Sequence, residues 1–382
     1  MSDLLPVAQN LADVFFRLAA RQHQLMPATG AAQAEVHTAA QYEPLLCAAG
    51  VLLLHDEDIA DLYVHGSISF LPMPAYIGAG IGGDLMHQFL PEGLHPQPEG
   101  YTKEELLLAM QQRKILQAPA IKCDERHDLH IALGCCAGVM PRAEAARGIL
   151  GGETRDIAIL SRVGRSVCFT VMGFAPDGTA LLSRRSAQEA ALEQIFREKR
   201  PGDILPAVVT GLAPFGAFCD IGCGAVGLLG LRNLCVSRLT HPRELLRVGQ
   251  QLPVLIQSLD PARRRVGLTL RELLGTWQEN AARFRAGQTV TGIACGKTDY
   301  GVFIALTPNL CGLAERDDTL EPGQPVCVYI KAIHPETLKL KLTVLHRLDT
   351  VPSQPLRFTK TEGRLDVWRY GSQENAKIVT VF

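Results

Sequence analysis

The chain has 382 residues, of which 47% are hydrophobic and 20% charged, with a formal net charge of −1. That is the composition of a globular protein with room for two to four domains, and it excludes a disordered or fibrous chain. No apolar run is long enough to span a bilayer, and the N-terminus lacks the basic start and cleavage site of a secretory signal, so a cytoplasmic protein without membrane contact is expected.

Residues 1–85 hold two arginines, no lysine and nine acids, a net of −7, and the remainder carries 36 basic and 30 acidic residues, a net of +6. This first stretch offers an amphipathic run at Leu4–Leu25, Ala/Gly-rich segments and an apolar run at Gly50–Leu54. It shows no coherent plan, and it is expected to be a poorly organised N-terminal segment. Gly82-Gly83-Asp84-Leu85-Met86 can be encoded GGA-GGU-GAU-CUN-AUG, a ribosome-binding sequence at suitable spacing before a start codon. The expectation is that natural translation starts at Met86 and that residues 1–85 are leader; the alternative is a genuine extension that binds a partner. Residues 86–113 read as a lead-in helix.

From residue 114 the chain is a threefold repeat of a small domain. The first copy, 114–185, is degenerate: ILQAPAIKCDERHDLHIALGCCAGVMP aligns after one deletion and places His127 and His130 where the later copies have aromatic rings, with Asp128 in place of glycine. Strand-like Val167–Phe174 and Ala180–Arg184 close it. A linker helix, 186–200, is expected to be capped by Ser186, with Glu189 at capping-box spacing.

The second copy, 201–270, shows strand signals at Ile204–Leu212, Ala217–Ile221, Gly227–Leu231, Gln251–Asp260 and Arg265–Leu270. Five short strands and a small helix in about 70 residues fit a Greek-key OB barrel. A second linker helix is expected over 271–285. The third copy, 286–348, aligns from Gly287 to Arg316 without a gap, placing Tyr300 on Phe215, Gly301 on Gly216 and Phe303 on Phe218. It then loses eleven residues before the fourth strand. The tail, 349–382, reads as a β-hairpin of Arg364–Tyr370 with Ala376–Phe382. The fold class is therefore all-β dominated, with three tandem five-stranded OB barrels joined by short helices.

The chemistry lies in the repeated aromatic-glycine-x-aromatic run. Residues three apart on a regular strand face opposite ways, so Gly216 is expected to form a bulge that re-phases the strand. Phe215, Phe218 and Asp220 would then share the outer face, with Cys219 and Ile221 inward. Two exposed rings form a stacking platform for unpaired bases, largely indifferent to sequence. Phosphates need cations, which Arg263, Arg264 and Arg265 would supply, with Lys339 at the position of Arg265 and Lys331 and Lys341 adding charge in the third copy. One such run alone is ordinary barrel core, and an arginine run is ordinarily a solvated face. Recurrence in register, each time with Gly-Leu and a basic last strand, favours a surface for single-stranded RNA.

The eleven cysteines form no C-x-x-C pair and read as structural thiols, so neither a metal nor any other cofactor is expected. Trp277 is expected to pack against a barrel, while Trp368 and Tyr370 fit packing or stacking equally. No serine elbow, P-loop, dinucleotide motif or catalytic acid pair appears, so neither an enzyme nor a small-molecule substrate is expected.

The segments GDILPAVVTGLAPFGAFCDIG, GAVGLLGL and VGQQLPVLIQSLDPARRRVGLTL, with their counterparts at 287–345, resemble the bacterial small-subunit ribosomal protein S1 family, built from S1-type OB repeats. The resemblance covers about 114–346 and extends to LPEGLHP, RDIAILSRVGR and ELLGTW, which look like shorter clostridial-type members. It implies binding of single-stranded messenger RNA at the small ribosomal subunit. It also places Phe215, Phe218, Arg265, Tyr300, Phe303 and Lys339 on RNA-contact positions. The chain departs from the family at Gly230 and Glu315, where histidine is frequent, and His334 replaces the contact residue Asp260. The degenerate first copy is expected to dock on protein. Two other readings remain: S1 repeats attached to a catalytic module, as in exoribonucleases, and a protein-docking scaffold in transcription or RNA decay.

Overall fold

Three closed five-stranded barrels follow one another along the chain. The structure, a computed structural model, describes residues 89–382 apart from 96–98, 351–355, 373–375 and 377. The expectations for residues 1–85 and for a start at Met86 lie outside the described residues.

Barrel 1 is built from β1 (Leu116–Cys123), β2 (Leu129–Ala132), β3 (Ala137–Met140), β4 (Ser166–Phe174) and β5 (Ala180–Ser183). Barrel 2 comprises β6 (Ile204–Ala213), β7 (Gly216–Asp220), β8 (Val226–Gly230), β9 (Gln251–Asp260) and β10 (Arg265–Thr269). Barrel 3 comprises β11 (Thr289–Thr298), β12 (Gly301–Thr307), β13 (Leu310–Ala314), β14 (Pro325–His334) and β15 (Lys339–Arg347). In each, the first three strands form a meander, the first pairs with the fourth, and the third pairs in parallel with the fifth, closing the sheet. Closure removes the exposed edges that short strands would otherwise present.

Each barrel carries its own apolar core. Val209, Ala217, Cys219, Leu229, Val254 and Leu268 are fully buried in barrel 2, and Ile304, Leu310, Val328 and Ile330 do the same in barrel 3. The core of barrel 3 also takes in Trp277, Trp368 and Tyr370, which are 2, 5 and 8% exposed. Packing therefore wins over stacking for the two tail rings. The tail hairpin pairs β16 (Val367–Arg369) with β17 (Val379–Val381) in antiparallel register.

Three local expectations are corrected. The bulge lies on the neighbouring strand, across from Phe218 and Cys219, and not at Gly216, which pairs regularly with Ala213: the register slips between Val209 and Gly211, and again between Ala294 and Gly296, across from Phe303 and Ile304, in barrel 3. Gly216 serves close approach, since a Cβ there would lie 2.5 Å from the Leu229 carbonyl oxygen, and Gly301 has the same clash with Ala314 at 2.3 Å. The linker helix α2 (Arg184–Glu198) starts before Ser186 and is capped by Ser183, whose hydroxyl accepts the Ser186 N–H at 2.9 Å. The run 271–285 is not one helix. A 3₁₀ turn at Arg271–Leu274 ends at Gly275 (φ 86°), and α3 (Trp277–Ala281) restarts under a Thr276/Glu279 capping box.

Among its described residues the lead-in segment forms one α-helix, α1 (Lys103–Gln112), behind a Thr102/Glu105 capping box. Before it, residues 89–95 wedge between barrels 1 and 2. The Glu92 side chain, 3% exposed, accepts from Arg184 Nε at 2.6 Å and Nη2 at 2.8 Å, and Arg162 Nη1 is 3.5 Å away. It also accepts the Cys168 N–H of β4 at 3.1 Å, while its own N–H donates to Asp220 at 2.8 Å. Burial pushes the Glu92 carboxyl up, but Arg184 beside it prevails and holds it below the ordinary value. Burial, then the Glu92 charge, pushes the Asp220 carboxyl up to about 6. Among the described residues no helix is long and apolar enough to cross a membrane.

Candidate nucleic-acid interface

Phe215 lies in the turn that enters β7, outside the strict alternation of the strand, and so it reaches the same side as Phe218 without a bulge at the glycine. Phe215 is 39% exposed and Phe218 half-buried, their ring centroids 5.9 Å apart with planes at 90°. In barrel 3 the Tyr300 and Phe303 rings are 6.4 Å apart at 86°, and Tyr300 is 68% exposed. Edge-to-face rings present orthogonal faces, so a strand that stacks on both must turn between successive bases.

Register extends this face sideways. Phe218 pairs with Leu228 of β8, and Leu228 with Gly267 of β10, so Arg265, two residues before Gly267, shares the surface. Barrel 3 repeats the row as Phe303, Leu313 and Lys341, with Lys339 two residues before the last. Arg265, Lys339 and Lys341 are all exposed. Exposed Leu228 and Val226 add apolar surface beside the rings, a contribution that the alternating exposure of β8 encodes and that motif reading passed over.

The other expected residues divide. Arg263 is exposed at the β9–β10 turn, with Nη1 3.8 Å from Asp260. Arg264 is turned away: its Nη1 donates to Glu193 of α2 at 2.7 Å, and its guanidinium lies 5.7 Å from the Phe196 ring centroid. Lys331 is present on barrel 3 but donates to Glu315 at 2.7 Å, which draws the Glu315 carboxyl below its ordinary value. Asp220 has the outward phase expected of it, yet it is 2% exposed because the lead-in segment covers it. Its Oδ1 accepts the N–H groups of Gly222 and Gly224, both at 2.9 Å, and shapes the β7–β8 turn.

Barrel 1 has no equivalent platform at its matching positions. His130 Nε2 is 3.0 Å from Asp124, and His127 Nδ1 is 3.6 Å from Asp156, which also takes Arg142 Nε at 2.7 Å. These imidazoles are engaged by carboxylates on the barrel's own surface.

Glu315→Gln is expected to release Lys331 and remove an acid from the barrel 3 face. Each cation that gains a phosphate contact steepens the fall of log K with log salt by about 0.7 for a single strand. Anisotropy of a labelled oligoribonucleotide across a salt series should therefore show tighter low-salt binding and a steeper slope; an unchanged slope counts against this role for Lys331.

Residues 198–271, the span of barrel 2, match the model of a family described as S1 RNA binding domain. The chain is 28% identical over 212 residues to small ribosomal subunit protein bS1 of Staphylococcus aureus (strain COL), covering 50% of this chain and 54% of the relative. It is 29% identical over 189 residues to bS1 of Rhizobium meliloti (strain 1021), covering 45% and 33%. The chain thus spans about half the length, or less, of these curated relatives. Among solved structures it is similar to a multidomain protein with nucleic acid binding domains from Streptococcus pneumoniae TIGR4, with a TM-score of 0.22 and 14% identity over 63% of this chain and 76% of that one.

Proposed function

We propose that this chain, an S1-type relative of the small ribosomal subunit proteins bS1, binds single-stranded RNA on the outer faces of barrels 2 and 3 and acts in translation at the small ribosomal subunit, in the cytoplasm. The observation that carries this reading is the recurrence, in one register, of an edge-to-face aromatic pair beside a cationic last strand. Rings supply stacking without sequence preference, and Arg265, Lys339 and Lys341 supply phosphate pairing. Binding should therefore fall with salt and tolerate most sequences. We read it as a binding protein and not an enzyme, with messenger RNA as its substrate-like partner.

The two barrels are unequal. Barrel 2 carries the stronger platform, because Glu315 occupies Lys331 in barrel 3. Barrel 1 is read as a protein-docking module, since its imidazoles are already held by Asp124 and Asp156. Sucrose-gradient sedimentation of native extract tests the assignment. The protein is expected in the small-subunit fractions at low salt and to leave them after nuclease treatment. Recovery only at the top of the gradient, with RNA binding intact in vitro, would move the role to transcription or RNA decay.

A further inference from the structure

A soft-donor triad lies where the lead-in loop meets barrels 1 and 2. His95 from the lead-in segment, Cys168 from β4 and Cys223 from the β7–β8 turn bring one imidazole nitrogen and two sulfurs within 4.8 Å of one another. His95 Nε2 and Cys223 Sγ are 3.9 Å apart. A tetrahedral zinc with bonds of about 2.3 Å to sulfur and about 2.0–2.1 Å to nitrogen has a nitrogen–sulfur edge of about 3.6 Å. That edge needs to close by only a few tenths of an ångström. We propose that His95, Cys168 and Cys223 hold one zinc ion that clamps barrel 1 to barrel 2.

The donor set selects the metal. Two thiols and an imidazole suit zinc and exclude magnesium or calcium, which take oxygen ligands. The supporting contacts are those of a held site. Gln117 Oε1 accepts the Gly93 N–H at 2.7 Å, and its Nε2 donates to the His95 carbonyl at 3.4 Å, fixing the loop that carries the imidazole. The Leu90 carbonyl is 2.7 Å from His95 Nε2 and also accepts the Cys223 N–H at 2.9 Å. It therefore keeps a donor when the imidazole nitrogen turns to the metal. Cys223 has φ 49°, a left-handed conformation uncommon for a residue with a side chain, and it presents its sulfur to the triad.

Charge balance permits the ion. Glu92 and Asp220 are matched by Arg162 and Arg184, and a zinc with two thiolates is neutral, so binding adds no net charge to the interior. Both sulfurs are fully buried and the imidazole is half-buried, so the His95 side is the more open side of the triad.

Zinc and cobalt titrations of the full chain, reduced and stripped with a chelator, test the proposal. One equivalent of zinc is expected to bind, and Co²⁺ in its place should show tetrahedral absorption with thiolate charge-transfer bands. Loss of a supporting contact alone lowers metal affinity 10–100-fold, so Cys168→Ser and Cys223→Ser should each weaken zinc by at least about 100-fold. His95→Gln should weaken zinc while keeping the thiolate bands. A close thiol pair away from the site, Cys295 and Cys311 at 3.4 Å, is the control: Cys295→Ser should leave affinity unchanged. If the serine variants do not fold, alkylation mapping of the unmodified chain replaces them, and zinc should protect Cys168 and Cys223. No uptake at micromolar zinc, uptake that follows Cys295, or a Cys168–Cys223 disulfide forming as readily with zinc as without would each overturn the site.

Discussion

Phe215→Ala combined with Phe218→Ala is expected to weaken binding of a single-stranded oligoribonucleotide at least tenfold while the chain stays folded. Each stacked base is worth about 1–3 kcal/mol, so losing two platforms removes roughly 2–6 kcal/mol, and even the lower bound exceeds the 1.4 kcal/mol of a tenfold change. Phe215 is 39% exposed and lies in a turn, so its truncation opens no closed cavity. Phe218 is half-buried on the outer row of β7, while Ala217, Cys219 and Leu229 fill the core behind it. The variant should therefore keep its unfolding midpoint within the ordinary range for surface substitutions.

The salt series separates stacking from electrostatics. Rings carry no charge, so the slope of log K against log salt should be retained in the double variant while the whole line drops. The matching pair Tyr300→Ala and Phe303→Ala should cost less, because the Lys331 ammonium next to that face is engaged by Glu315. Unchanged affinity of the barrel 2 variant by fluorescence anisotropy would refute the stacking role.

Most of the barrel architecture was legible because its signals are local. Alternating burial along β8 and the glycine that lets neighbouring backbones approach recur in both later copies, and the strand Gln251–Asp260 is found with the bounds its apolar pattern gives. What sequence could not supply depends on contacts between residues far apart. Arg264 reads as one of three equivalent arginines until Glu193, 71 residues earlier, is found against it. Asp220 has the right phase for the outer face, and only the backbone of Glu92, 128 residues away, buries it. A glycine inside a strand has two physical readings, bulge or close approach, and choosing between them for Gly216 requires the position of the Leu229 carbonyl. The break at Gly275 has the same origin: helical composition on both sides hides a left-handed residue that the docking of α3 on barrel 3 imposes.

Glu92→Gln is expected to destabilise the junction of barrels 1 and 2 by about 3–5 kcal/mol, the usual result of deleting one partner from a buried ion cluster. The carboxylate faces Arg184 and Arg162, 6% and 10% exposed at their side chains, and the amide that replaces it leaves those two guanidiniums with Asp220 as their one remaining counter-charge in the cluster. The chain's own fluorophores make the effect separable. Both tryptophans, Trp277 and Trp368, belong to the core of barrel 3, so their emission follows that barrel alone. Urea unfolding by far-UV circular dichroism should show an earlier transition in the variant, with the tryptophan transition little moved. Hydrogen exchange should rise over β4, the start of α2 and the β7–β8 turn, where Cys168, Arg184 and Asp220 bond to Glu92. The pH dependence carries a second signature. Asp220, pushed up to about 6, binds a proton in the folded state that the unfolded chain releases near 4, so its contribution to stability falls as pH rises through that window. Glu92, held low, contributes in the opposite sense, present above the unfolded value and lost as pH falls. With Glu92 replaced by glutamine only the Asp220 trend remains, and because the Glu92 charge is one cause of the Asp220 shift, that trend should also be shallower than Asp220 shows beside an ionised neighbour. A circular-dichroism midpoint equal to that of the unmodified chain at neutral pH would show that the cluster does not hold the two barrels together.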